Sequence, residues 1–171
     1  LDTPPYNTVY LDDILTAIDK QYLLKFKYVS GFGAESDIVL QPAFVRYFKQ
    51  RWYVIGVKKQ RSASEGKANS SAEEDVRKLV RCLPFDRISF LKAVCEKHPL
   101  SKEMKKFLTP DNYYEDCFGI YRMEDVPVEK IRIRAFYPEY NLIEEVPLHE
   151  SQQKVKESKD GMFWEYTLTV R

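Results

Sequence analysis

The sequence predicts a mainly β domain followed by a smaller α+β domain, and two observations lead to this prediction. Between residues 22 and 95, short stretches rich in strand-forming residues are separated by turn-forming residues, a pattern typical of β-strands. After residue 126, a strand pattern, a helix pattern and two further strand patterns follow one another. An aromatic and acidic connector, residues 110–125, separates the two regions.

The first region opens with an amphipathic helix over residues 10–21, where leucine and isoleucine recur at helical spacing. Strands are predicted at 22–29, 37–49, 51–59, 78–83 and 88–95. Lys49-Gln50 predicts a tight hairpin between the second and third of these strands. The polar stretch 60–77 predicts a long hairpin loop.

A helical segment that begins near Pro99 and carries Met104, Phe107 and Leu108 precedes the connector. A strand over 127–136, a helix over 138–146 and strands near 152–157 and 163–170 follow. Lys159-Asp160-Gly161 indicates a hairpin between the last two strands.

Composition limits the class of protein. Hydrophobic residues make up 44% and charged residues 31%, which is typical of a soluble globular chain, and no apolar run approaches the roughly 20 residues that span a bilayer. The net charge of +1 means that any nucleic-acid binding must depend on a local basic patch. Three cysteines at unrelated spacings, Cys82, Cys95 and Cys117, favour reduced thiols in a cytoplasmic protein.

No enzyme signature is present: the sequence has no nucleophile elbow, no glycine-rich phosphate loop and no HExxH zinc motif. His98 and His149 are isolated, and each is expected in a turn or on the surface. We therefore predict no catalytic residue, no metal site and no cofactor, because no nucleophile and base can be paired.

The informative strand is Arg51-Trp52-Tyr53-Val54. Side chains alternate along a strand, so Trp52 and Val54 are predicted in the core while Arg51 and Tyr53 face the other way. Guanidinium groups bind phosphates and aromatic rings stack on bases, so such a face suits an anionic ligand. The alternative is that these charges pair internally, since Asp86 lies beside Arg87.

The order of these motifs resembles the WYL domain family of bacterial transcription regulators. The residues that carry the resemblance are Pro42, the RWYVIG stretch at 51–56 and the RCLPFDRIS stretch at 81–89. Val54 stands where the family has leucine, and Leu83 where an aromatic residue is usual. Residues 138–152, a helix followed by PLHESQ, resemble the C-terminal extension that often follows a WYL domain.

The resemblance implies an Sm-like, SH3-type β-barrel over 10–97, a helical linker over 98–125 and a ferredoxin-like extension over 126–171. The family's extension continues with a helix and a strand beyond the one at 163–170. The family also implies a cytoplasmic, homodimeric regulator that reaches operator DNA through an N-terminal helix-turn-helix, which is not among these residues.

In that family the expected effector is single-stranded nucleic acid or a nucleotide. We predict that its binding residues are Tyr47, Lys49, Arg51, Tyr53, Arg81 and Arg87. A second hypothesis is a protein–protein module that dimerises through its aromatic strands and binds no small ligand.

Overall fold

The computed structural model describes residues 8–59 and 76–171, which form a mostly β α+β architecture with two separate sheets. The chain divides into two compact units, Leu1–Asn112 and Tyr113–Arg171. This division falls inside the segment 98–125 that the sequence predicts as a linker. No helix in the described ranges is long and apolar enough to cross a membrane.

The first unit contains a five-stranded antiparallel sheet in the order β4-β3-β2-β1-β5. Its elements in chain order are a 3-10 helix Thr8–Tyr10, α1 Leu11–Lys20, β1 Tyr22–Val29, β2 Glu35–Phe48, β3 Arg51–Lys58, β4 Val80–Pro84, a 3-10 helix Phe85–Arg87, β5 Ile88–Lys97 and α2 Lys102–Phe107. The predicted helix and the five predicted strands are therefore confirmed to within a few residues at each end. Most of the predicted loop 60–77 lies outside the described residues.

The β2–β3 hairpin is the two-residue turn that the sequence predicts. Phe48 pairs with Arg51, and the two turn residues, Lys49 and Gln50, have φ angles of 45° and 62°. Positive φ at both positions gives the turn a twist that matches the right-handed twist of the strands it joins.

The 3-10 helix Phe85–Arg87 shows how strongly this sheet is curved. Asp86 bonds to Arg51, which lies just past the end of β2, whereas the guanidinium of Arg87 lies beside Gly31, just before β2 begins. A straight strand of 14 residues would hold those points about 46 Å apart. The edge strands β4 and β5 are not hydrogen-bonded to each other among the described residues, so the Sm-like barrel remains a prediction.

The core of the first unit lies between α1 and one face of the sheet. Helix α1 supplies Ile14 and Ala17, and the 3-10 helix supplies Phe85, which is fully buried. The strands contribute Leu24, Phe26, Ile38, Leu40, Val54, Leu83 and Ile88. Apolar burial of this kind is the main term that stabilises the unit.

Helix α2 begins later than predicted. The sequence places its start near Pro99, but the first helical residue is Lys102, and the side chain of Ser101 accepts a hydrogen bond from the Met104 backbone N–H at 3.2 Å. A serine hydroxyl is a better cap than the region around Pro99 offers, which explains the shift.

The second unit is a three-stranded antiparallel sheet in the order β6-β8-β7. Its elements are α3 Pro110–Tyr114, which straddles the boundary, β6 Glu129–Phe136, α4 Glu139–Glu145, β7 Gln153–Glu157 and β8 Phe163–Val170. Tyr140 of α4 stacks on Trp164 at 4.1 Å between ring centroids, and Tyr166 is fully buried. The predicted strands and helix are confirmed, whereas the ferredoxin-like assignment remains a prediction.

Candidate functional site

Strand β3 carries the central motif, and it is buried on both of its faces. The sequence predicts one core face and one ligand-facing side, and Val54 is indeed fully buried. On the other face, however, Tyr53 is only 4% exposed, and Ile55 and Val57 are buried too. The expectation of an open Arg51–Tyr53 face is therefore wrong for Tyr53, because tertiary packing covers a side that alternation alone leaves free.

Arg51 lies at the start of β3, and it is bonded to a carboxylate. Its Nη2 donates to both oxygens of Asp86 at 2.7 Å, and its guanidinium lies 5.7 Å from the ring centroid of Tyr53. Both members of the ion pair are partly exposed, so the pair stabilises the fold by less than about 1 kcal/mol. A stronger anion can therefore compete for this guanidinium.

An aromatic row runs from the surface into the core on the face of the hairpin opposite to Arg51. Tyr47 is 48% exposed and lies 5.2 Å from Trp52, which lies 6.4 Å from the fully buried Phe85. Trp52 is partly buried and packs against the core. The row is anchored at Phe85 and offers the Tyr47 ring to solvent.

Two further cations that the sequence predicts for the site lie on the hairpin and on the 3-10 helix. Lys49 is exposed at the tip of the hairpin, with its Nζ 5.5 Å from the ring centroid of Phe48. Arg87 follows Asp86 directly, and a Cβ added to Gly31 would lie 3.2 Å from its Nη1. The structure thus brings Tyr47, Lys49 and Arg51 to the hairpin end, with Arg87 on the adjoining 3-10 helix.

Arg81 is not part of this group. Its register partner on β3 is Gly56, five residues from Arg51, which is about 16 Å along the strand. Arg81 shares a face of the sheet with its partner Gly56. Because Gly56 and Arg51 are five residues apart on one strand, their side chains point to opposite faces, so Arg81 lies on the face opposite to Arg51. Its Nη1 donates to the carbonyls of Lys78 and Val80 at 2.7 and 2.8 Å.

The next candidates from the sequence are His149 and the three cysteines. His149 lies in a turn, where its Nδ1 accepts from the Ser151 N–H at 3.1 Å, and the Ser151 hydroxyl bonds to the backbone of Thr169. Cys82, Cys95 and Cys117 are free thiols. Within the described ranges, no three His, Cys, Asp or Glu side chains are grouped to hold a metal ion.

Sequence reasoning missed a second basic surface, on the sheet of the second unit. In the stretch EKIRIRAF of β6, Lys130, Arg132, Arg134 and Phe136 alternate with apolar residues. This alternation is the signal that could have revealed it, because every second side chain of a strand shares a face.

Comparison with known proteins gives the family. The sequence model of the WYL domain matches residues 9–93. Proteasome accessory factor B/C (PafBC) of Arthrobacter aurescens is a similar solved structure, with a TM-score of 0.47 and 12% identity. The match covers 99% of this chain and 22% of that protein, so the chain spans under a quarter of its length. No curated protein matches. Residues 9–93 contain the RWYVIG and RCLPFDRIS stretches, and the chain belongs to the WYL domain family.

Proposed function

We propose that this chain is the effector-sensing part of a bacterial transcription regulator, and that it binds a nucleic-acid or nucleotide effector at the β2–β3 hairpin end. The observation that carries the proposal is the combination found there. At the hairpin end an exposed Tyr47 lies on one face and Arg51 on the other, with Lys49 in the turn that joins their strands and Arg87 on the adjoining 3-10 helix. Family membership supports the regulatory role.

The chemistry of the hairpin end fits an anion with an aromatic base. Arginine and lysine contact phosphate oxygens, and a tyrosine ring that is supported from behind can stack on a base. Tyr53 supports such a site without contacting the ligand, because its buried ring packs under the Arg51 guanidinium. Arg81 lies on the opposite face and takes no part.

Binding would act as a switch through differential affinity. An effector that binds one orientation of an attached DNA-binding domain better than another shifts the population toward that orientation. Phosphate that displaces Asp86 from Arg51 also releases the 3-10 helix Phe85–Arg87 from one of its contacts. The proposed signal therefore begins at this 3-10 helix.

The test is fluorescence anisotropy with a labelled single-stranded oligonucleotide and with labelled ATP, each at two salt concentrations. We expect Arg51→Ala and Lys49→Ala to weaken binding about tenfold each and to reduce its salt dependence. Asp86→Asn should strengthen binding, because it frees Arg51 from its carboxylate. Arg81→Ala is the matched control and should leave the affinity unchanged; equal losses for Arg81→Ala and Arg51→Ala would contradict the site.

Self-association is the second candidate function, and one residue favours it. Phe90 is 74% exposed on the edge strand β5 and has a φ of 54°, which is unusual for a bulky side chain. Exposed apolar residues on edge strands promote pairing with another chain. Sedimentation across a concentration series should then show a dimer that Phe90→Asn abolishes, while a monomer at every concentration excludes this function.

A further inference from the structure

The three-stranded sheet of the second unit has one packed face and one open face. The packed face carries Tyr166, Leu168 and Ala135, which are buried, and helix α4 contributes Tyr140 to it. The side chains of the open face follow from the strand register: Lys130, Arg132, Arg134, Phe136, Gln153, Lys156, Phe163, Glu165, Thr167 and Thr169. We call this set the open sheet face.

The open sheet face is basic. Among its residues the four cations Lys130, Arg132, Arg134 and Lys156 stand against one acid, Glu165. The arginines are 60% and 49% exposed, whereas the Glu165 side chain is 8% exposed. Solvent and ligands therefore meet mainly the positive charges.

Glu165 holds the two arginines in place. Arg134 donates through Nε at 3.0 Å and through Nη2 at 2.6 Å to one carboxylate oxygen, and Arg132 donates to the other. Hydrogen bonding from Arg134 lowers the pKa of Glu165, burial opposes this shift, and Arg132 lowers the pKa further. The carboxylate thus stays ionised and fixes the guanidinium groups of two residues whose Cα atoms are about 6.6 Å apart along β6.

Two aromatic rings lie among the cations. Phe136 is 55% exposed and makes an edge contact with Phe163, with 6.1 Å between ring centroids. The Phe163 ring lies 4.1 Å from the guanidinium carbon of Arg134 and 5.6 Å from the Lys156 ammonium. The face therefore offers a bare ring, and a second ring covered by a guanidinium group.

We propose that the open sheet face is a binding surface for single-stranded nucleic acid, separate from the effector site of the first unit. Cations that follow β6 at strand spacing meet successive phosphates, while Phe136 and the Arg134 guanidinium supply planes on which unpaired bases stack. A duplex presents no unpaired bases to these planes. An acidic peptide would satisfy the charges but would make no use of the exposed ring.

The experiment uses the 171-residue chain and a labelled oligothymidylate of about 12 nucleotides, a length suited to one such surface. The double variant Lys130→Gln/Lys156→Gln should raise Kd about tenfold or more and lower the salt slope by about 1.4, the value for two phosphate contacts on a single strand. Phe136→Leu should raise Kd about tenfold while leaving the salt slope unchanged. Glu165→Gln should lower Kd, because it removes the acid and keeps a hydrogen-bonding side chain.

Matched controls isolate the surface. Lys159→Gln removes one positive charge in the β7–β8 turn, away from the open sheet face, and should change Kd less than twofold. Tryptophan fluorescence of Trp164 verifies that each variant is folded. Unchanged affinity for the oligonucleotide in both the double-lysine variant and Phe136→Leu would overturn the proposal. The proposal would also fail if a poly-glutamate peptide bound as tightly as the oligonucleotide and its affinity did not change in Phe136→Leu.

Cross-linking separates this surface from the effector site. Iodouridine placed in the oligonucleotide should cross-link to peptides containing Phe136 or Phe163, and should still do so in the Arg51→Ala variant. If cross-links map only to residues 47–53 and disappear with Arg51→Ala, the effector site stands and the open sheet face is rejected. If they map only to the second unit, the open sheet face stands and the effector site is rejected.

Discussion

The two sheets use their strands differently. Strand β3 of the first unit carries the WYL motif, yet Tyr53, Ile55 and Val57 are buried on one face and Val54 on the other. Strand β6 of the second unit carries no motif, and it is packed on one face and open on the other. The most recognisable strand is thus used for packing, and only its end is available for a ligand, whereas the less distinctive strand leaves a whole face exposed.

The largest expected difference between the two strands is in the cost of removing an isoleucine. Ile55 in β3 is fully buried, while Ile131 in β6 is 38% exposed. We expect Ile55→Ala to lower the free energy of unfolding by about 2–5 kcal/mol, and Ile131→Ala by about 1 kcal/mol or less.

Urea denaturation can measure both because each unit contains one of the two tryptophans, Trp52 and Trp164. A Trp164→Phe background reports the first unit, and a Trp52→Phe background reports the second. Similar losses for the two isoleucines would show that β6 is as enclosed as β3, which would undermine the comparison.

A smaller difference is expected at two glycines. A Cβ on Gly56 in β3 would overlap the Gln41 carbonyl oxygen and lie 2.9 Å from the Pro42 Cα, so backbone must move. Gly161, in the β7–β8 turn, has a φ of 71° with open space around it. Gly56→Ala should cost about 3 kcal/mol through overpacking, and Gly161→Ala about 1–2 kcal/mol through backbone strain.

The losses of unfolding free energy for Gly56→Ala and Gly161→Ala can be measured from urea midpoints in the same Trp164→Phe and Trp52→Phe backgrounds. An unchanged midpoint for Gly56→Ala would mean that β2 and β3 can separate locally without loss, contrary to the tight packing of the motif strand.

The smallest expected effect is the response of the second unit to acid. Because its partners lower the pKa of Glu165 below the ordinary value of about 4.3, the unfolded chain takes up this proton first as pH falls. The stabilisation is complete above about pH 5 and is lost as pH falls through the lowered folded-state pKa. Glu165→Gln should remove this part of the acid sensitivity.

The measurement is the Trp164 fluorescence midpoint in urea at about pH 6 and about pH 3, in the Trp52→Phe background. The wild-type midpoint should fall more between these two conditions than that of Glu165→Gln. An equal fall in both proteins would show that other carboxylates account for the acid response.

The sequence predicts the elements well because their signals are local. Alternation and turn residues locate β1, β2 and β3, and Lys49-Gln50 predicts the hairpin that the structure contains. Similar local signals identify α4 and the β7–β8 hairpin. These features depend on residues a few positions apart.

The candidate site was harder to predict because it depends on distant pairs. The burial of Tyr53 requires packing that no strand pattern encodes, and the position of Arg81 depends on the register between β3 and β4. The bond between Arg51 and Asp86 joins residues 35 positions apart, and only their opposite charges hinted at it. The open sheet face, by contrast, was visible in the alternation of β6.

The 3-10 helix Phe85–Arg87 has a consequence for how this chain tolerates insertions and deletions. Its three consecutive side chains make three separate contacts. Phe85 packs against the Trp52 ring, Asp86 accepts hydrogen bonds from the Arg51 guanidinium, and the Arg87 guanidinium lies beside Gly31. A substitution removes one of these contacts, whereas adding or deleting a single residue displaces all three and shifts β5 against β1. Related chains should therefore keep the number of residues between β4 and β5 constant.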